Sequence, residues 1–225
     1  MTAVLGALPV DERARLSCGS SSEAIYRMVA RAIQARHPGG GKLLDIGCGA
    51  GRLRSYVMDF TAEYAGVDVV RYDGFPGDCE FQNVNLDAYP LPLPARIAEV
   101  VVAVETIEHL ENPRALMREL FRLAKPGGLI VVTTPNQLSL LSKMTLLLKN
   151  QFNAFQRASY PAHLTALLEC DLIRIAQECS LGEIQIRYSD SGRIPFTAWH
   201  WPAKLGFRGR AFSDNILIAG VRACC

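Results

Sequence analysis

Residues 43–53 read Leu-Leu-Asp-Ile-Gly-Cys-Gly-Ala-Gly-Arg-Leu. Leu43, Leu44 and Ile46 form a short apolar run, as expected of a strand buried on both faces of a parallel sheet. Gly47, Gly49 and Gly51 then occupy every second position, which suits a strand that turns sharply into a helix with its backbone close to a ligand. Counted from Gly47, the third glycine of a dinucleotide-binding Gly-x-Gly-x-x-Gly would fall on Arg52, so that fingerprint fails by one position. Asp45, just before the turn, repels phosphate and suits a cation. The bland alternative is a glycine-rich turn that holds no ligand.

Outward from this stretch, strands and helices alternate. Ser20 and Glu23 have the spacing of a capping box, and Ile25, Met28, Val29, Ala32 and Ile33 share one helical face that should end near 38–41. After the glycines the pattern predicts a helix over 51–61, a strand over 64–69, a loop over 71–79 and a short strand over 80–84. The 71–79 stretch has room only for a loop, which should leave one sheet face thinly covered. A strand over 99–104 is followed by Asn112 and Pro113, cap and first residue of a helix whose Leu116, Leu120 and Leu123 face the core. Lys125-Pro126-Gly127-Gly128 stops that helix and a strand over 129–134 follows. A helix is expected over 162–180, and the segments 183–189 and 215–223 read as closing antiparallel strands. The expected fold is α/β: a doubly wound, seven-stranded, mostly parallel sheet in a single domain over 1–225. Residues 1–19 lack periodicity and read as disordered or as a lid.

A length of 225 residues suits one α/β domain, and a formal charge of +2 gives no broad field for avid nucleic-acid binding. Seven cysteines with no Cys-x-x-Cys pair read as a reduced set rather than a disulfide framework or zinc site. Asp11 and Glu12 interrupt the amino-terminal stretch, and no segment approaches the ~18 apolar residues of a membrane span. The expectation is a soluble, cytoplasmic protein.

A nucleotide with an ammonium-bearing tail suits Asp45, and S-adenosylmethionine fits that description. Asp68 lies 21 residues after Gly47, where a carboxylate can accept both ribose hydroxyls of this or of a nicotinamide cofactor. With Asp45, the glycine stretch resembles motif I of the class I S-adenosylmethionine-dependent methyltransferases. The 105–110 stretch Glu-Thr-Ile-Glu-His-Leu, Leu91-Pro92-Leu93 before it, and Lys125-Pro126-Gly127-Gly128 and Thr134-Pro135-Asn136 after it follow the order of the methyltransferase-11-like branch. The resemblance covers roughly residues 40–137. It implies a Rossmann-like methyltransferase fold and S-adenosylmethionine as cofactor. Asp45 with Gly47, Cys48, Gly49 and Gly51 would hold the methionine part, and Asp68 and Val69 the ribose. Asn85, Leu86 and Asp87 would take the adenine, with Val104 and Glu105 closing the site. For Asp68 and Asp87 the bland alternative is a turn carboxylate that caps local amides.

That branch includes ubiquinone-pathway O-methyltransferases and small-RNA terminal-ribose methyltransferases. Members of both carry Glu-x-x-Glu-His, which can bind a divalent cation with a later histidine. Here the set would be Glu105, Glu108, His109 and His163. We weigh this below the reading that Glu108 and His109 cap the following segment without metal, and carry His109, His163 and Tyr160 as catalytic candidates. Tyr160 to His163 would start the 162–180 helix over the methyl donor. Leucine-rich 138–149 reads as a core helix or lid in preference to a membrane-surface contact. Segments 138–163 and 190–214, the latter with Arg193, Trp199, His200 and Trp201, are the substrate-side elements. The expected activity is O-methylation of a small or sugar-like acceptor rather than of RNA. The rivals are a nicotinamide-dependent oxidoreductase and a noncatalytic S-adenosylmethionine-binding protein. Oligomeric state is left open.

Overall fold

The computed structural model describes residues 8–223. Its strands are β1 (Lys42–Ile46), β2 (Glu63–Asp68), β3 (Glu80–Asn83), β4 (Ala98–Ala103), β5 (Ala124–Pro135), β6 (Leu181–Tyr188) and β7 (Asn215–Arg222). The helices are α1 (Val10–Arg15), α2 (Glu23–Gln34), α3 (Arg54–Val57), α4 (Pro113–Leu123), α5 (Leu140–Lys149) and α6 (Glu169–Glu178). The seven strands form one sheet in the order β3-β2-β1-β4-β5-β7-β6. β7 alone runs against its neighbours, β5 and β6. The chain leaves β1 toward β2 and β3 and returns on the other side as β4. A crevice opens at such a reversal, outside the carboxyl ends of β1 and β4.

Successive strand residues point to opposite faces, and the helices complete a core on each. On one face Leu44, Val101, Ile130 and Ile218 meet Leu116, Leu120 and Leu123 of α4 and Leu172 and Ile175 of α6. On the other, Leu43, Val100, Leu129 and Leu217 meet the expected stripe of α2 from Ile25 to Ile33. Each such buried aliphatic side chain contributes roughly 1.5–3 kcal/mol. α4 starts as its sequence dictates: Pro113 is its first residue, and the Asn112 side chain accepts the Ala115 amide at 3.0 Å.

Residues 71–79 form a loop, as expected, whose Phe75 packs over β2, which is buried from Tyr64 to Asp68. The Phe75 ring lies tilted against Tyr64 and edge-on to Phe81, with centroids 6.4 and 5.1 Å away. A Cβ on Gly66 would lie 2.4 Å from it, so β2 needs glycine there.

Three local expectations are corrected. α2 begins at Glu23 with Ser22 at its N-cap, and the Glu23 carboxylate accepts from Arg27 at 2.8 Å instead of closing a box with Ser20. The helix after the glycines shrinks to Arg54–Val57. The helix expected over 162–180 is confined to Glu169–Glu178. Upstream of it the amides of Leu164 and Thr165 both donate to the Glu108 carbonyl, at 2.9 and 3.0 Å, and so are withdrawn from helical pairing.

Candidate active site

A cavity of about 300 Å³ lies at the carboxyl ends of β1, β2 and β4. The turn after β1 builds its floor. Gly47 and Gly49 adopt φ +74° and +51°, in the left-handed region that favours glycine. A Cβ on Gly47 would strike the Thr106 hydroxyl at 2.3 Å, and one on Gly49 the Gly19 carbonyl at 2.2 Å. The amides of Gly47 and Cys48 both donate to the Val67 carbonyl, which ties the turn to β2.

Asp45 forms one wall. Tyr64 donates its hydroxyl to Asp45 Oδ2 at 2.6 Å, while Oδ1 is buried without a partner. Burial pushes this carboxyl up to about 7, against the Tyr64 hydrogen bond and with some help from Asp68. An ammonium is the group that would satisfy the orphaned oxygen, so the site fits an amino-acid tail. Asp68 accepts the Gly49 amide at 2.8 Å on Oδ2 and the Val70 amide at 3.2 Å on Oδ1. Burial raises its pKa while these amides oppose the shift. Each oxygen keeps lone-pair capacity for a ribose hydroxyl. Cys48, Val69, Leu86, Val104 and Glu105 also line the cavity, as expected. Burial pushes the Cys48 thiol up, so it packs as an apolar group.

Gly51, Asn85 and Asp87 do not line the cavity. Gly51 lies under Pro76. The Asp87 carboxylate is held by the Arg13 guanidinium and by the Glu111 amide at 2.9 Å, while Asn85 accepts the Asp87 amide at 3.0 Å. Residues unmarked in the sequence take the vacant lining: Arg13, Ala14, Ser17 and the 19–22 segment, together with Tyr26 and Tyr72. Tyr72 donates to the Ala14 carbonyl at 2.8 Å, and Ser21 donates its amide to the Tyr26 hydroxyl at 2.8 Å. Thus α1 and the turn after it lie across the cavity.

At the far end stand two buried carboxyls and two imidazoles. Glu105 has φ +49°, a strained conformation for a non-glycine residue. Its amide donates to Thr133 Oγ1 at 2.9 Å and its Oε2 accepts from Asn215 at 2.8 Å. Thr134 donates to Glu108 Oε2 at 3.0 Å. Oε1 of each glutamate is buried without a partner. Burial raises both carboxyls, Glu108 to about 8, and at Glu105 the charge of the neighbouring Glu108 acts in the same direction. His109 Nδ1 faces the Ala162 carbonyl and His163 Nδ1 the Ala154 carbonyl, each at 2.7 Å. A carbonyl only accepts, so in the neutral rings each Nδ1 carries the proton and each Nε2 keeps a lone pair. Burial lowers both imidazole pKa values. The ring centroids are 4.7 Å apart.

One ligand atom from each of Glu108, His109 and His163 falls within 4.8 Å of the others, while Glu105 stands outside this group. The donor set fits a divalent cation: a carboxylate oxygen without a partner and two imidazole lone pairs. Tyr160 is 69% exposed and Trp199 76% exposed, and neither lines a cavity. We therefore leave Tyr160 out of the reaction. The His109 ring serves the Ala162 carbonyl and also faces the cavity. A second, more polar cavity of about 480 Å³ shares Ser22 and Ile25 with the first and is walled by Asn153, Ser191, Arg193 and His200.

Fold and cavity together define a nucleotide-binding α/β protein whose site suits a cationic amino-acid tail. The chain belongs to the family described as methyltransferase domain, whose match covers residues 20–178. It is 28% identical, over 75% of its length, to a probable S-adenosylmethionine-dependent methyltransferase from Mycolicibacterium smegmatis. It is 31% identical, over 44% of its length, to the ubiquinone biosynthesis O-methyltransferase of Azoarcus sp.. The matched stretch spans 66% and 46% of these two relatives. Among solved structures it resembles an S-adenosylmethionine-dependent methyltransferase from Archaeoglobus fulgidus, with a TM-score of 0.65 and 18% identity over 89% of this chain and 95% of that one. A Thermotoga maritima structure described as a possible histamine N-methyltransferase gives 0.62 and 16%, over 94% and 91%. These likenesses establish the class I methyltransferase fold. No helix among the described residues is long and apolar enough to cross a membrane.

Proposed function

We propose that this protein transfers a methyl group from S-adenosylmethionine to a hydroxyl oxygen of a small, partly polar acceptor. The observation that carries this reading is the paired imidazoles. Backbone carbonyls fix both tautomers, and the two rings stand beside Glu108 in the cofactor cavity, one ligand atom of each residue within 4.8 Å of the others. Bound there, S-adenosylmethionine supplies an electrophilic methyl group with a neutral thioether as leaving group. Asp45 holds the ammonium, Asp68 the ribose hydroxyls, and Leu86 gives apolar cover. An imidazole Nε2 takes the acceptor's proton as its oxygen attacks. Holding donor and acceptor in line accounts for roughly 7–11 kcal/mol of barrier reduction. The likeness to ubiquinone biosynthesis O-methyltransferases supports an oxygen acceptor. The second cavity's polar walls support a small hydroxylated molecule, since a polynucleotide needs a phosphate track.

The orphaned Glu108 oxygen favours a second reading of the same groups. Glu108, His109 and His163 would hold a divalent cation, which lowers the pKa of a bound acceptor hydroxyl. Labelled-methyl transfer to a panel of phenolic and sugar hydroxyl acceptors tests both. His109→Gln and His163→Gln should each lower turnover at least tenfold and leave S-adenosylhomocysteine binding within about twofold. Full activity after chelation retires the metal and leaves the base. Tight product binding with no transfer to any acceptor would favour a noncatalytic binding protein.

A further inference from the structure

The carboxyl-terminal half of α5 turns its leucines outward. The helix's buried side chains are Ser142 and Thr145. The Ser142 hydroxyl donates to Gln137 at 3.3 Å and accepts the Asn153 amide at 3.2 Å. Of the leucines expected in a core or lid, Leu140 and Leu141 are half-buried, while Leu147 and Leu148 face solvent, 82% and 61% exposed. A helix serving only the core of a globular domain shows the reverse arrangement. Phe196 and Trp199 stand out from the neighbouring loop, 77% and 76% exposed. Single exposed apolar residues need no explanation, but an outward apolar helix face does.

The charge of this edge is predominantly positive: Arg193 pairs with Asp214 at 3.2 Å and Arg210 with Glu169 at 3.6 Å, while Lys143, Lys149, Arg157, Lys204 and Arg208 have no ion pair among the described residues. Segments 138–168 and 191–213 contain no Asp or Glu, yet hold Lys143, Lys149 and Arg157 in the first and Arg193, Lys204, Arg208 and Arg210 in the second. The first follows the carboxyl end of β5, and the second joins β6 to the antiparallel β7, so both lie at the same edge of the sheet. Asn136 stitches them together, donating its side-chain amide to the Arg210 and Ser213 carbonyls, each at 2.7 Å.

We propose that this edge docks on an anionic lipid surface, with Leu147, Leu148 and Trp199 entering the acyl boundary and the lysines and arginines meeting the headgroups. Outward leucines and an aromatic beside cations, most of them without an ion-pair partner among the described residues, are the chemistry of interfacial binding. A second copy on a twofold axis would press two cationic edges together. RNA would use the cations and leave the leucines unexplained. Docking sets the polar cavity between Asn153 and His200 beside the lipid surface. It holds whatever the acceptor proves to be, because vesicle binding is read without turnover.

Co-sedimentation of the full chain with vesicles tests it, comparing phosphatidylcholine containing about a third phosphatidylglycerol with phosphatidylcholine alone. Binding to the anionic vesicles should be at least tenfold tighter, should weaken as salt rises through about 0.1–0.5 M, and should shift tryptophan emission to the blue. The double variant Leu147→Asp, Leu148→Asp should lose at least tenfold in vesicle binding while S-adenosylhomocysteine affinity is unchanged, which controls for folding. Three results would each overturn the proposal: no sedimentation at low salt, equal binding by the double variant, or leucine-independent binding to single-stranded RNA tighter than to vesicles. So would a dimer that the double variant dissolves in the absence of any vesicle binding.

Discussion

The Tyr64 hydroxyl occupies one oxygen of Asp45, at 2.6 Å, and leaves the other buried and unpaired at the cavity wall. The pair is a half-finished site: Tyr64 orients a carboxyl that burial holds near 7, and an incoming ammonium completes it. A folded-state pKa above the unfolded value means the folded apo protein holds the extra proton. The stability this contributes is full below about 4 and is lost as pH rises through 7. Cofactor binding expels that proton. Affinity for S-adenosylhomocysteine should therefore rise with pH, approaching tenfold per unit below 7 and levelling above it. Calorimetry at pH 6 in buffers of different ionisation enthalpy should show proton release, and Asp45→Asn should abolish it. Proton uptake would contradict the assignment.

Asp68 is placed to do two jobs, accepting the Gly49 and Val70 amides and facing the cavity. Hydrogen bonds to charged groups are worth about 1.5–3 kcal/mol each, so Asp68→Ala should cost at least tenfold in S-adenosylhomocysteine affinity. It should also lower the melting temperature, because two amides lose their partner. Asp68→Asn should recover most of the stability and less of the affinity. Unchanged affinity in both variants would put the ribose elsewhere.

Arg13 reaches from α1 to Asp87 and, at 3.5 Å, to Glu111, and pins α1 over the cavity. Arg13→Met should speed S-adenosylhomocysteine release several-fold in a stopped-flow displacement experiment. Adding Asp87→Asn should change the rate little further, since both substitutions break one contact. Independent, additive effects would show that the ion pair does not hold the cover down.

The parallel sheet was legible because buried strands write themselves as apolar runs, and the 43–53 stretch carried both the β1 strand and the ligand turn. Asp45, Gly47, Gly49 and Asp68, which line the cavity, were singled out by spacing along one chain segment. Arg13 and Tyr72 were not, because they reach the cavity from segments with no periodic pattern, and Tyr26 reads only as one more buried residue of the α2 stripe. The same limit misplaced Asp87 and Tyr160. Asp87 sits at the predicted turn, but a guanidinium 74 residues away claims it. The helix expected to carry Tyr160 over the methyl donor was drawn off by the Glu108 carbonyl, a tertiary contact that outweighs local propensity. α5 shows the converse: its leucines read as core, but Ser142 and Thr145 have the buried partners.

The central claim is that the cavity after β1 holds S-adenosylmethionine through Asp45. Isothermal titration of the purified chain with S-adenosylhomocysteine, beside NAD and beside the Asp45→Asn variant, tests it most directly. Saturable one-to-one binding of S-adenosylhomocysteine, no heat with NAD, and at least tenfold weaker binding by a folded Asp45→Asn variant are predicted. Binding of NAD in place of S-adenosylhomocysteine, or equal affinity in the variant, would contradict the account.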